Sequence, residues 1–153
     1  MIPIGARPIG PARAWRNAAL AASLCLSACA MPTESAGGLA APYQYTARGA
    51  AGGVLVTGEL TLAVTDDSIV SGSWSTRWAP GADTTSEVGP QVGQGTLAGT
   101  LHQGALLLDL TPGNADNNAV LQGTWSGNTI AGAWTWITIT GPRITGSFSA
   151  VKP

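Results

Sequence analysis

Two thiols, one imidazole and two clusters of side-chain oxygens are the groups in this chain whose types suggest chemistry. Cys25 and Cys29 lie close together near the N-terminus, and His102 is the only histidine. A zinc site draws on several His, Cys or carboxylate ligands, which one histidine cannot supply. A Ser-His-Asp set would have to join His102 to Asp109 and to a serine that no local motif marks. There is no nucleophile elbow, and the Gly-x-Gly pieces fall inside strand-like segments instead of opening a helix, so no phosphate loop is formed. These residues predict a chain that is not an enzyme, with no metal and no cofactor. The oxygen clusters are Asp83 and Glu87 in the stretch 79–90, "APGADTTSEVGP", and Asn114, Asp116, Asn117 and Asn118 in 111–118, "TPGNADNN". Asp83 and Glu87 suit recognition of a cation on a loop otherwise read as solvated. The Asn-rich stretch has calcium-type oxygens but not the spacing of an EF-hand, and turn chemistry accounts for it.

The setting of the thiols is more informative. Arg7, Arg13 and Arg16 precede the apolar run 18–26, and small residues follow it. A positive segment, a short apolar segment and a small-residue cut site describe a secretory signal peptide. The run is too short for a transmembrane helix, which needs ~20 apolar residues. At its end, Leu26-Ser27-Ala28-Cys29 resembles the lipobox of bacterial lipoproteins: an aliphatic residue, a small residue, Ala or Gly, and the lipid-carrying cysteine. The resemblance covers about the first fifth of the chain. It implies cleavage before Cys29, acylation of its sulfur with a palmitate-type lipid and of its new amine, and attachment to a membrane. Two or more acyl chains hold firmly where one is marginal. Ala30, standing where an Asp would favour inner-membrane retention, implies the outer membrane, facing the periplasm. Cys25 falls in the discarded segment, so the mature chain has no disulfide although the compartment permits one.

The remaining composition narrows the partners. Charged residues make up only 10% of the chain, against the ~25% typical of soluble domains. Past Cys29 four basic residues (Arg48, Arg77, Arg143 and Lys152) face eight acidic ones, so no basic patch exists for phosphate backbones and nucleic acid is excluded as a partner. Residues 30–42, "AMPTESAGGLAAP", have no apolar period and read as a flexible tether reaching roughly 20 Å. The predicted organisation is a signal peptide over 1–28, a lipidated tether over 29–42 and one folded domain over 43–153.

From Tyr43 onward one unit recurs: apolar, any, Gly, small, large apolar. It appears as Val56-Thr57-Gly58-Glu59-Leu60, Val70-Ser71-Gly72-Ser73-Trp74, Leu97-Ala98-Gly99-Thr100-Leu101, Leu121-Gln122-Gly123-Thr124-Trp125, Ile130-Ala131-Gly132-Ala133-Trp134 and Ile144-Thr145-Gly146-Ser147-Phe148. In a strand, positions i, i+2 and i+4 share a face, so each unit turns apolar, glycine, apolar one way and small or polar residues the other. The alternation predicts strands at about 43–49, 53–64, 68–78, 91–101, 105–111, 118–126, 129–139 and 143–151. Short turns join antiparallel neighbours. The predicted fold is therefore all-β, an eight-stranded antiparallel up-and-down barrel, with a two-sheet β-sandwich as the alternative. Inward glycines suit a tightly curling sheet and leave room for indoles.

The aromatic residues are the candidate ligand site. Trp74, Trp78, Trp125, Trp134 and Trp136, with Tyr43 and Tyr45, either pack a filled core or line a pocket for one apolar small molecule. Trp134 and Trp136 belong near a barrel end, where an open mouth would receive it. The domain resembles the avidin and lipocalin group of calycin-like barrels in its eight short strands, glycine-rich turns and interior tryptophans. No biotin-binding set maps onto it, so the resemblance implies architecture and not specificity. The function expected is a non-enzymatic, membrane-anchored binding module for an apolar small ligand or another envelope component. One alternative is a periplasmic protease inhibitor, since small-barrel metalloprotease inhibitors are similar in size and strand count. A lipid on Cys29 would block the free N-terminal segment that such inhibitors insert, and their usual disulfide is missing. The other alternative is a purely structural surface lipoprotein.

Overall fold

The computed structural model describes residues 40–65 and 68–153. The expected signal peptide, the lipidated Cys29 and most of the tether lie outside the described residues, as does the Asp66-Asp67 turn. Eight strands follow one another: β1 (Ala41–Arg48), β2 (Val54–Val64), β3 (Ile69–Trp78), β4 (Gly93–His102), β5 (Ala105–Asp109), β6 (Asn117–Ser126), β7 (Thr129–Thr138) and β8 (Gly141–Val151). Each pairs antiparallel with the next, and β1 pairs with β8 from Gln44↔Val151 to Arg48↔Ser147, which closes the barrel. That seam decides against the sandwich.

The period-two pattern explains the closure. On β1, Tyr43, Tyr45 and Ala47 are buried while Gln44 and Arg48 are exposed; on β2, Val56, Leu60 and Leu62 are buried. Inward residues from all eight strands join one core, each fully buried aliphatic contributing ~1.5–3 kcal/mol. The rings lie over glycines: a Cβ added at Gly146 would stand 2.5 Å from Trp134 Nε1, and one at Gly95 would stand 3.1 Å from Trp74 Nε1. Any side chain at Gly146 would overlap the Arg48 backbone carbonyl as well as the Trp134 indole.

The strand ends differ from the predicted ones for local reasons. β1 begins at Ala41, inside the stretch read as tether, because Ala41 and Pro42 already pair with Leu62 and Thr61. β4 begins at Gly93, not 91, because Gln91 turns into the barrel and is 0% exposed. β5 stops at Asp109, whose Oδ1 accepts the Thr111 N–H at 2.8 Å and bends the chain. β8 starts at Gly141, opposite Thr138.

The topology gives the barrel two unlike ends. The end of β2, the start of β3 and the turns 103–104 and 127–128 lie at one, with the start of β1 and the finish of β8. Gln103 and Gly104 both have positive φ there, at 50° and 82°, the pattern of a tight two-residue hairpin. The other end carries the 49–53 turn, the long connection 79–92, the connection 110–116 and the 139–140 turn.

Candidate functional site

The seven aromatic candidates divide between the two ends and the middle. At the short-turn end, Tyr43 is buried and meets Trp125 edge-on, with ring centroids 5.4 Å apart and planes at 86°, a favoured aromatic geometry. Burial raises the Tyr43 phenol above its ordinary value, with the Trp125 contact partly offsetting this. Trp125 is half-buried and donates its indole N–H to the Gly127 carbonyl at 3.2 Å. In the middle, Trp74 donates to the Leu110 carbonyl at 2.6 Å. Towards the loop end, Trp134 is fully buried and donates to the Arg48 carbonyl at 2.9 Å. Trp136 is half-buried and donates to Asn117 Oδ1 at 2.8 Å. Trp78, on the last position of β3, is half-buried against the core. Four of the five indole N–H groups are thus engaged within the protein.

The mouth expected over Trp134 and Trp136 is covered. Residues 79–92 fold back across it, with Val88 4% exposed and Gln91 0% exposed. Gly89, at φ +63°, lies on Trp136; a Cβ there would stand 2.5 Å from the indole Cγ. Gln91 is held at every polar atom of its side chain. Its Oε1 accepts the Tyr45 hydroxyl at 2.6 Å, its Nε2 donates to the Val88 carbonyl at 2.7 Å, and its backbone carbonyl accepts the Thr76 hydroxyl. Tyr45, Gly58 and Thr76 form one cross-strand row on the inner wall. Burial pushes the Tyr45 phenol well above the ordinary tyrosine range, because the anion would sit in an apolar interior.

Outside, a latch fastens the same segment. Arg143 Nη2 meets Glu87 Oε1 at 2.9 Å and its Nε donates to Oε2 at 3.2 Å. The guanidinium also lies 5.3 Å from the Trp136 ring centroid. Both charged side chains are about half exposed, so the ion pair is worth ~0–1 kcal/mol and the cation–π contact ~0.5–1 kcal/mol. Glu87, expected to recognise a cation, faces the chain's own arginine. Asp83 closes a local turn: its Oδ1 accepts the Thr85 N–H at 2.9 Å and O–H at 2.6 Å, and these bonds hold its carboxyl below the usual range.

The Asn-rich connection is also committed internally. Asn114 Oδ1 accepts the Asn117 N–H, Asn117 Oδ1 serves Trp136, and Asn118 Oδ1 accepts the Thr111 hydroxyl at 2.9 Å. Among the described residues no three His, Cys, Asp or Glu side chains gather into a metal-binding group. His102 and Asp109 cap opposite ends of the β4–β5 ladder, opposite Ala105 and Ala98, so the topology does not bring them together.

Of the concavities on the outside of the described residues, two bear on binding. One, of about 270 Å³, opens at the loop end between the 49–53 turn and the 79–92 segment; Leu55, Trp134, Ile144, Ala50, Ser86 and Glu87 line it. The other, of about 430 Å³, is a polar saddle on the outer face of β2–β4, lined by Glu59, Thr61, Ser73, Ser75, Gln94 and Thr96. The first has an apolar floor of Leu55 and Ile144, with the buried Trp134 ring beneath, of the kind small-molecule sites prefer.

The residues that sequence reasoning missed are Thr76 and Gln91. Thr76 left a signal: it stands between Trp74 and Trp78 at an inward register position, where an isolated hydroxyl needs a buried partner. Gln91 left none, since that partner comes from a loop whose path no periodicity encodes. No family model, no curated protein and no solved structure matches this chain.

Proposed function

We propose that this chain is an envelope lipoprotein, anchored through acylated Cys29, whose barrel is a non-enzymatic binding module presenting its loop end to a small apolar ligand or an envelope partner. The lipobox residues Leu26-Ser27-Ala28-Cys29 support the anchor, and Ala30 supports the outer membrane. The observation that carries the binding reading is the apolar crevice floored by Leu55 and Ile144, with the buried Trp134 ring beneath them, at the end where the long connections gather. The chain enters the barrel at the opposite end, through Ala41. A lipid upstream of β1 therefore leaves the loop end free to face away from the bilayer. The interior side chains are packed together, so recognition belongs to the crevice and the loops around it.

The anchor and the binding are tested separately. Cells fed a fatty-acid analogue should label the wild-type chain and not Cys29→Ala; equal labelling of the two contradicts the anchor. Indole fluorescence of the full chain in detergent should respond saturably to small apolar ligands, and Trp134→Phe should weaken that response. A flat titration across lipids and small hydrophobes contradicts the binding reading.

A further inference from the structure

The two barrel ends differ in charge. Among the described residues, Lys152 is the only Lys, Arg, Asp or Glu at the short-turn end, whereas the loop end carries Arg48, Asp83, Glu87, Asp116 and Arg143. The short-turn end also turns apolar side chains to solvent: Ile69 is 52% exposed, Leu107 47% and Val151 44%. Ile69 opens β3, Leu107 lies near the start of β5 and Val151 closes β8, so the three stand around the rim. Ile69 and Leu107 flank Thr100 in one cross-strand row. Inside the rim, the half-buried Trp125 closes the end against Tyr43. Tyr and Trp rings with one wet edge are favoured at membrane–water interfaces. The loop end exposes Val92 and Ile139, but it does so alongside its five charges.

A bilayer is the surface that the chain itself brings to this end. β1 enters the barrel there at Ala41, and residues 30–40 separate it from Cys29. A tether of that length keeps the barrel within roughly 20 Å of the lipid, so even a weak contact is reinforced by high local concentration. A barrel that spans a membrane turns an apolar band outward. Here the outward positions of β2 and β3 carry Thr57, Glu59, Thr61, Ser71, Ser73 and Ser75, so contact is made by the end and not by the wall. We propose that the short-turn rim of Ile69, Leu107 and Val151 around Trp125 is a bilayer-contact surface that seats the barrel on uncharged lipid headgroups. Lys152 alone supplies too little positive charge to select anionic lipid, and Asp66 and Asp67, which join β2 to β3 in sequence, oppose it. The seating rests on the acylation of Cys29 proposed above and goes beyond it, since an acyl anchor by itself leaves the barrel free to turn.

The test reconstitutes the full, lipidated chain into phosphatidylcholine vesicles whose acyl chains are brominated close to the headgroup, and reads quenching of indole fluorescence. The wild type should be quenched, Trp125→Phe should lose most of that quenching, and Trp136→Phe, at the other end, should keep it. Ile69→Asp combined with Leu107→Asp should reduce quenching several-fold while a fatty-acid analogue still labels Cys29, and Ile139→Asp should leave quenching unchanged. Replacing a third of the lipid by phosphatidylglycerol should not strengthen it. Should the double Asp variant not fold, the Trp125→Phe and Trp136→Phe pair decides alone. A labelled, vesicle-bound wild type that is not quenched, or equal quenching in Trp125→Phe and Trp136→Phe, overturns the seating and leaves the anchor standing. The same holds if the rim instead pairs two copies, seen as a dimer that the double Asp variant abolishes. Absence of label on Cys29 overturns the anchor and the seating with it.

Discussion

The two ends of the barrel are closed by different means. At the short-turn end the wall closes itself: Tyr43 and Trp125 come from β1 and β6, meet edge to face, and are fixed by strands whose turns are as short as two residues. At the loop end the wall's own rings, Trp134 and Trp136, are not enough, and a fourteen-residue connection lies across them with Val88 and Gln91 turned inward. A closure made of strand residues opens only when the barrel comes apart. A closure made of a loop, one buried amide and a surface ion pair can open while the barrel stays whole. Local opening of this kind is where binding segments are found in folded proteins.

The contrast can be broken or sharpened by substitution. The largest effect belongs to the ring shared by the core and the crevice. Trp134→Ala should cost about 3–5 kcal/mol in urea unfolding, whereas Trp125→Ala, already half-exposed at the other end, should fall below that range. Equal losses would mean that the ends are not differently built. Next comes the buried amide. Gln91→Leu leaves the Tyr45 hydroxyl and the Val88 carbonyl without their side-chain partner, at about 1–3 kcal/mol for each, while Thr76 keeps its bond to the backbone carbonyl of residue 91. A stability equal to the wild type would show that water or a neighbour replaces Gln91.

The third effect is alkaline. The folded barrel keeps the Tyr45 phenol protonated above the pH at which an unfolded chain releases it. Below about pH 10 both states hold the proton and stability does not depend on it. Above that, the unfolded state binds fewer protons, so stability falls by up to about 1.4 kcal/mol per pH unit. Tyr45→Phe should flatten this slope while Tyr43→Phe, at the other end and less strongly shifted, should flatten it less. The smallest effect is the latch. Arg143→Ala should change global stability by less than about 1 kcal/mol, yet speed proteolytic nicking within 79–92 and leave the 127–128 turn unaffected.

Much of this frame is legible in the sequence because it is local. The alternation around Gly58, Gly72, Gly99, Gly123, Gly132 and Gly146 sets which side faces inward, and the short turns set which strands are neighbours. Trp74 and Trp134 lie over glycines for the same reason: both follow from a period of two. The candidate site was legible only in its wall. Trp134 and Trp136 were placed near one end by their positions on β7, but the path of 79–92 depends on tertiary partners from β1, β3 and β8 that are remote in sequence. Glu87 shows the limit plainly. As a residue on a polar loop it suggested a cation site, and the cation it meets is Arg143, fifty-six residues away. Gln91, a polar residue at the rim of a predicted strand, carried no mark of burial at all.

The central claim is that the loop end opens independently of the barrel. Residue-resolved native-state hydrogen exchange on the full chain tests it most directly. Amides in 79–92 should exchange at a free energy well below that of β1, β6 and β7, with Arg143→Ala lowering it further for that segment alone. Exchange of 79–92 only together with the strands, or earlier opening at the Tyr43–Trp125 end, would contradict it.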